Sequence, residues 1–270
     1  MFRRVQLIQQ SIRKGTTGGG VGDWLANCLS PPCGVLARHQ ITRSEVVGEF
    51  RAIELKGVDG VLYVDAAIPL HSVFMTIAEQ CYAWQWHYYQ VAQTRVAEDD
   101  FVIDCGSAEG LFPFLVRSVA SGIACFEPLP EFIRGLHRTF DSDPKVRIVP
   151  SALGASPGSA YLRRSDIYST ITTDVTDTPV AMDTIDSYCE RTSFPLSYLK
   201  ADMEGYEMNL LRGARLTIAR RKPKIAITTY HDPGHADEIE AFLRGLVPTY
   251  TFLRKGVESK TGAPVMLHAW

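Results

Sequence analysis

At 270 residues the chain is long enough for one large α/β domain and a smaller appendage, and 46% hydrophobic against 21% charged residues is the balance of a globular protein with a sizeable core. A formal net charge of -2 gives no overall attraction to nucleic acid, so Arg163-Arg164 and Arg220-Arg221-Lys222 read as solvated surface and no nucleic-acid partner is expected. No apolar run is long enough to span a bilayer, and the basic start of the chain lacks a signal-peptide core, so the expected location is cytoplasmic. The six cysteines form no Cys-x-x-Cys pair and read as reduced thiols.

In chain order, residues 1–14 have the pattern of a short amphipathic helix, and Gly15-Thr16-Thr17-Gly18-Gly19-Gly20 breaks it with a flexible joint. The Pro-Pro pair within 23–40 suggests irregular structure. Two strands are expected at 46–55 and 60–64 around the turn Lys56-Gly57-Val58-Asp59-Gly60. Residues 1–98 are thus an N-terminal arm and small β/α cap, suited to contacts with substrate or with a second copy in a homo-oligomer.

Residues 72–91 read as a helix, or a helix that breaks, rich in aromatics beside hydrogen-bonding groups. Aromatic faces cover apolar C–H surface while carboxylates and imidazoles bond hydroxyls, so Glu79, Trp84 and His87 form a candidate platform for a sugar ring. Plain packing of the segment onto the main domain is the alternative.

From residue 99 the chain alternates strands and helices. Strands are expected at 101–105, 122–127, 146–149, 196–202 and 224–229, with helices at 109–121, 130–140, 183–191 (Asp183 as cap), 207–215 and 236–245. Between the third strand and the next helix, 155–181 carries a long excursion with strand signals at 159–163 and 170–173 around the loop holding Tyr168, a place for a substrate-covering element. Strands at 250–253 and 265–268 are joined too tightly for a crossover helix, so they form an antiparallel hairpin.

The chemistry centres on Phe101-Val102-Ile103-Asp104-Cys105-Gly106-Ser107-Ala108-Glu109-Gly110, a buried strand that runs into Asp-x-Gly-x-x-x-Gly and then a helix. Glycine lacks the Cβ that would keep a ligand from the backbone, and the turn reads as a nucleotide-type pocket. The next strand ends at Glu127, 23 positions after Asp104, where an acid accepts hydrogen bonds from the two hydroxyls of an adenosine ribose. The small residues of Pro150-Ser151-Ala152-Leu153-Gly154 belong beside the base. Asp202 and Glu204 follow the fourth strand and His231 the fifth, at the strand ends that face the cofactor.

A mostly parallel seven-stranded sheet closed by an antiparallel hairpin is the outline of a Rossmann-like class I methyltransferase. The sequence resembles the FkbM-type methyltransferase family over about 99–230, on Val102-Ile103-Asp104-Cys105-Gly106-Ser107-Ala108-Glu109-Gly110, Phe126-Glu127-Pro128, Ala152-Leu153-Gly154, Thr184-Ile185-Asp186 and Leu199-Lys200-Ala201-Asp202-Met203-Glu204-Gly205-Tyr206-Glu207. The resemblance implies S-adenosyl-L-methionine as cofactor. Asp104, Gly106, Ser107, Gly110 and Asp202 then lie near its methionine part, Glu127 and Pro128 at the ribose, and Ser151, Ala152 and Leu153 around the adenine. Cys105 and Ser107-Ala108-Glu109 depart from the usual pattern, and Glu109 either helps hold the sulfonium or points to solvent.

The resemblance further implies O-methylation of a small-molecule or carbohydrate acceptor, a sugar, glycan or glycosylated or polyketide-type metabolite. A hydroxyl needs a base, and His231 has the suitable unperturbed pKa, with Asp202 orienting the substrate or partnering the histidine and Glu204 beside them. Asp202, Glu204 and Asp232 are an alternative hard-oxygen set for Mg2+. A nicotinamide-dependent oxidoreductase and a non-catalytic binding protein of the same fold are the competing readings.

Overall fold

In a computed structural model of the chain the described residues are 21–165, 168–172 and 178–270, with main chain alone at 21, 163–165 and 168–172. The expected helix and joint of 1–20 lie outside them. The chain opens with two short helices, α1 (Val21–Leu29) and α2 (Cys33–Gln40), where irregular structure was expected. The proline pair sits between them: Pro32 caps α2, a position where its fixed φ and missing N–H cost nothing.

Strands β1 (Ile41–Val47), β2 (Phe50–Leu55) and β3 (Leu62–Asp65) follow as an antiparallel sheet. The expected strand over 46–55 is a hairpin instead, because Gly48 adopts φ +62° and turns the chain between Val47 and Phe50. Helix α3 (Leu70–Gln80) ends eleven residues short of the helix expected over 72–91, and residues 81–96 continue as a strap with turns within 82–88 and one 3-10 turn at Ala92–Thr94.

The main sheet has seven strands in the order β13-β14-β12-β11-β4-β5-β6. They are β4 (Phe101–Cys105), β5 (Gly122–Phe126), β6 (Val146–Val149), β11 (Tyr198–Ala201), β12 (Lys224–Thr228), β13 (Phe252–Lys255) and β14 (Met266–Ala269). All run parallel except β14, which is antiparallel to both its neighbours. Helices α4 (Leu111–Val116), α5 (Pro130–Phe140), α6 (Ile185–Thr192), α7 (Glu207–Arg212), α8 (Arg215–Arg221) and α9 (His235–Leu246) cover its faces. Thr184, rather than Asp183, caps α6, its Oγ1 accepting from the Ser187 amide at 3.0 Å.

A second sheet holds β7 (Ala152–Leu153), β8 (Gly158–Ser165), β9 (Tyr168–Thr172) and β10 (Thr178–Asp183) in the order β7-β10-β8-β9, so the excursion after β6 is a β-structured flap. The N-terminal sheet docks on α5: Gly135 lies so close to β3 that a Cβ there would stand 2.7 Å from the Tyr63 carbonyl oxygen, and Thr139 Oγ1 accepts from the Tyr63 amide at 2.9 Å. Ile53, Leu62, Val64, Ile77, Leu111, Phe114, Leu136 and Phe140 form the buried cluster between cap and sheet. Cap and main domain therefore share one core, and the groove between them is fixed in place.

Candidate active site

A cavity of about 900 Å3 lies between the cap and the carboxyl ends of β4, β5 and β11. This is where an open parallel sheet reverses its strand order and leaves a crevice. Its floor is the turn after β4. Gly106 (φ +71°) and Gly110 (φ +79°) are both left-handed, and Ala108 is at φ 45°. A Cβ on Gly106 would stand 2.2 Å from the Asp202 carbonyl oxygen, and one on Gly110 2.5 Å from Leu136 Cδ2. Each glycine is therefore demanded twice, by conformation and by space.

Glu127, almost wholly buried, closes the turn: Oε2 accepts from the Ala108 amide at 2.8 Å and Oε1 from the Leu129 amide at 2.9 Å. Burial pushes its carboxyl up to about 7, against the pull of those two amides. One lone pair on each oxygen stays available to a pair of ligand hydroxyls.

Of the residues expected at a cofactor, Gly106, Ser107, Glu109, Glu127, Pro128, Ser151, Ala152, Leu153 and Asp202 line this cavity. Asp104 and Gly110 do not. Gly110 caps α4 and packs on Leu136, and Asp104 is fully buried behind the turn, 2.9 Å from Lys200 Nζ. Lys200 also donates to the Gly106 carbonyl oxygen at 2.8 Å and reaches the cavity wall. Burial pulls its ammonium down, but Asp104 and Asp202 outweigh that and leave it raised, so it stays charged. The strand acid thus fixes a lysine that fixes the glycine turn.

At the other end the cavity is walled by α3, the strap and the loops after β11 and β12. Glu79 and His87 meet there, with His87 Nδ1 3.5 Å from Glu79 Oε1, and the His87 ring stands edge-on to Tyr230. Trp84 is not part of this wall. Its ring packs against Tyr82, and its carbonyl oxygen accepts from Asn27 at 2.5 Å, so it ties the strap to α1. Tyr168 lies in β9, and its side chain falls outside the described set.

Glu109 resolves toward the cavity end walled by α3 rather than toward solvent. It lines the cavity with Thr76 and Glu79, its Oε1 is buried without a hydrogen-bond partner, and burial raises its carboxyl above the ordinary range. Asp202 behaves oppositely. Burial pushes it up, but Lys200 and His231 outweigh this and hold it low and ionised, while Tyr89 donates to its Oδ2 at 3.0 Å.

His231 does not face the cavity as a free base. Its Nε2 lies 3.1 Å from Glu204 Oε2 and its Nδ1 3.1 Å from Glu207 Oε1, and it is absent from the cavity lining. Burial lowers its pKa, but the two glutamates override that and push it up to about 10. The ring is an imidazolium at neutral pH, already holding the proton a base would need to accept.

The set Asp202, Glu204 and Asp232 is likewise not assembled. Asp202 and Glu204 border the cavity, whereas Asp232 is exposed and its Oδ1 accepts from the Gly234 amide at 2.9 Å. Glu207, which sequence reasoning took for an ordinary first residue of a helix, stands close to Asp202 and His231 instead. It is fully buried, and its Oε1 accepts from the Met203 and Gly205 amides at 3.1 and 3.4 Å. The available signal was a glutamate opening a helix whose next residues, Met208, Leu210 and Leu211, are apolar.

The strand order with a single reversed strand before the edge, and a ligand cavity over the glycine turn, define a class I methyltransferase fold. The model of the methyltransferase FkbM domain matches residues 104–250, more than half the chain. The chain belongs to the FkbM methyltransferase family.

Among solved structures, methyltransferase FkbM from Methylobacillus flagellatus KT matches with a TM-score of 0.53 at 17% identity, over 74% of this chain and 53% of that one. The chain therefore spans about half the length of that relative, and the likeness is one of fold. A rRNA methylase from Streptococcus thermophilus (TM-score 0.42, 11% identity, 64% and 87% covered) and M. jannaschii TYW2 in complex with AdoMet (0.38, 12%, 83% and 85%) match more loosely. No curated protein matches the chain by sequence.

Proposed function

We propose that this protein transfers a methyl group from S-adenosylmethionine to a hydroxyl of a small polar acceptor such as a sugar or a glycosylated metabolite. The observation that carries the reading is one continuous cavity with two unlike ends: the glycine turn with Glu127 at one, and Glu79, His87 and Tyr230 at the other. The residues fit the cofactor. Glu127 offers the ribose hydroxyls two oriented oxygens, Ser151 to Leu153 and Leu129 offer the adenine a small apolar slot, and Asp202 and Glu109 put negative charge where the sulfonium would sit.

The sulfonium supplies an activated methyl, so the chain's task is to hold the acceptor oxygen in line with it and to take its proton. Of Glu109 and Asp202, Glu109 is the stronger base, since burial raises its carboxyl while Lys200 and His231 hold Asp202 low. Asp202 and Glu204 then orient the acceptor, and His231 behind them keeps Glu204 in place. The carboxylate-rich acceptor wall favours hydroxyl donors over phosphorylated chains, which supports a small-molecule acceptor over nucleic acid. The fixed cap, over residues 22–98, is the acceptor-binding part.

Thermal-shift and calorimetric titration with S-adenosylhomocysteine and NAD, followed by transfer of a labelled methyl group to sugar and metabolite panels, tests this. Stabilisation by S-adenosylhomocysteine and label on oxygen are the expected results. Stabilisation by NAD alone would overturn the reading, and cofactor binding without transfer to any acceptor would favour a binding protein.

A further inference from the structure

Behind the acceptor wall, Asp202, Glu207 and His231 each offer one ligand atom, and these atoms lie within 4.8 Å of one another. We propose that the three form a binding site for a divalent first-row transition ion, Mn2+, Co2+ or Zn2+, that borders the cavity through Asp202. Among the described residues it is the group of histidine and acid side chains gathered closely enough to share an ion.

Two observations support a ligand there. Glu207 is fully buried, yet its Oε2 has no hydrogen-bond partner, and His235 Nδ1 stands 3.6 Å from it. A buried carboxylate oxygen left without a donor costs free energy that a cation would recover. Both carboxylates are also oriented by further groups, as metal ligands are: Tyr89 donates to Asp202, and the Met203 and Gly205 amides donate to Glu207. Thr228 Oγ1 stands 3.2 Å from Asp202 Oδ1 and 3.0 Å from Glu207 Oε1, so its single proton can serve either carboxylate. An ion bound there takes the place of the His231 proton that now lies between the glutamates, so binding releases that proton.

The donor set selects the ion class. One imidazole nitrogen with two carboxylates suits Mn2+, Co2+ or Zn2+, whereas Mg2+ prefers oxygen alone and keeps its waters. This site differs in membership and chemistry from an oxygen-only set on Asp202, Glu204 and Asp232.

The test uses the untagged full chain, stripped with chelator and titrated with Mn2+, Co2+ and Mg2+ by calorimetry, with the visible spectrum of Co2+ and the paramagnetic resonance of Mn2+ followed in parallel. The expected result is one saturable site per chain, at least tenfold tighter for Mn2+ or Co2+ than for Mg2+, with both spectra altered on binding. Asp202→Asn and His231→Asn should each weaken it tenfold or more. Glu207→Gln risks the fold, because Glu207 holds the 203–205 loop, so the other two variants carry the test, with circular dichroism to confirm folding. No saturable binding, binding unchanged in both variants, or a preference for Mg2+ would overturn the proposal. S-adenosylhomocysteine titrated separately keeps this outcome apart from that of the methyltransferase reading.

Discussion

At one end of the cavity Gly106, Ala108 and Gly110 shape a ligand turn inside one short stretch, by backbone conformation. At the other end Glu79, His87, Asp202 and Tyr230 are brought together from α3, the strap and two loops, by tertiary contacts. The first end is written locally and tolerates little change. The second depends on how distant segments are pinned.

The pinning is itself visible. Lys255 on β13 donates to the carbonyl oxygens of Ala83, at 2.8 Å, and Gln85. Tyr198 donates to the Tyr89 carbonyl oxygen at 3.0 Å, and Thr94 meets buried His268 at 2.8 Å. A Cβ on Gly256 would stand 2.8 Å from that of Trp86. The aromatic strap is thus laid against the sheet's far edge, and most of its rings are structural. His87 is turned the other way, into the cavity.

Breaking the local end should give the largest effect. Gly106→Ala places a Cβ against the Asp202 carbonyl oxygen in a left-handed conformation, at a cost of about 3 kcal/mol. Denaturant unfolding should show that loss, and S-adenosylhomocysteine binding should fall below detection. Next comes Glu109→Gln, which keeps the shape and removes the base: kcat should drop about 100-fold while S-adenosylhomocysteine affinity changes little.

Glu127→Gln separates cofactor from acceptor, weakening S-adenosylhomocysteine roughly tenfold. Because burial sets the Glu127 carboxyl near pH 7, wild-type affinity should be full above that pH and decline below it as the carboxylate gains a proton. Calorimetry across pH 5.5 to about 8.5 should show this decline in the wild type and a flat profile in Glu127→Gln.

The smallest effect expected is at the strap. Burial pulls the Lys255 ammonium down to about 8 from its ordinary 10.5. Between those values the unfolded chain holds the extra proton, so stability from this group rises with pH there. Lys255→Met should remove that rise from the difference between the two unfolding curves, and amide exchange over 83–86 should quicken.

The same division governs what could be read from the sequence. Strands 101–105 and 146–149 and helix 130–140 have the bounds expected, because contiguous apolar runs and a proline at a helix start are local signals. The helices of 21–40 and the hairpin at Gly48 were hidden by residues that break one element and start another. In the site, the turn and Glu127 were legible because backbone needs glycine there. The state of His231 was not, since it is set by Glu204 and Glu207, which only the tertiary fold brings to its two nitrogens.

The account rests on the cofactor occupying the glycine-turn end and leaving the α3 end to the acceptor. Hydrogen–deuterium exchange with saturating S-adenosylhomocysteine tests this most directly. Protection should appear over 106–111 and 127–131 and leave 72–80 unchanged; protection at 72–80 with none at the turn, despite measured binding, would contradict it.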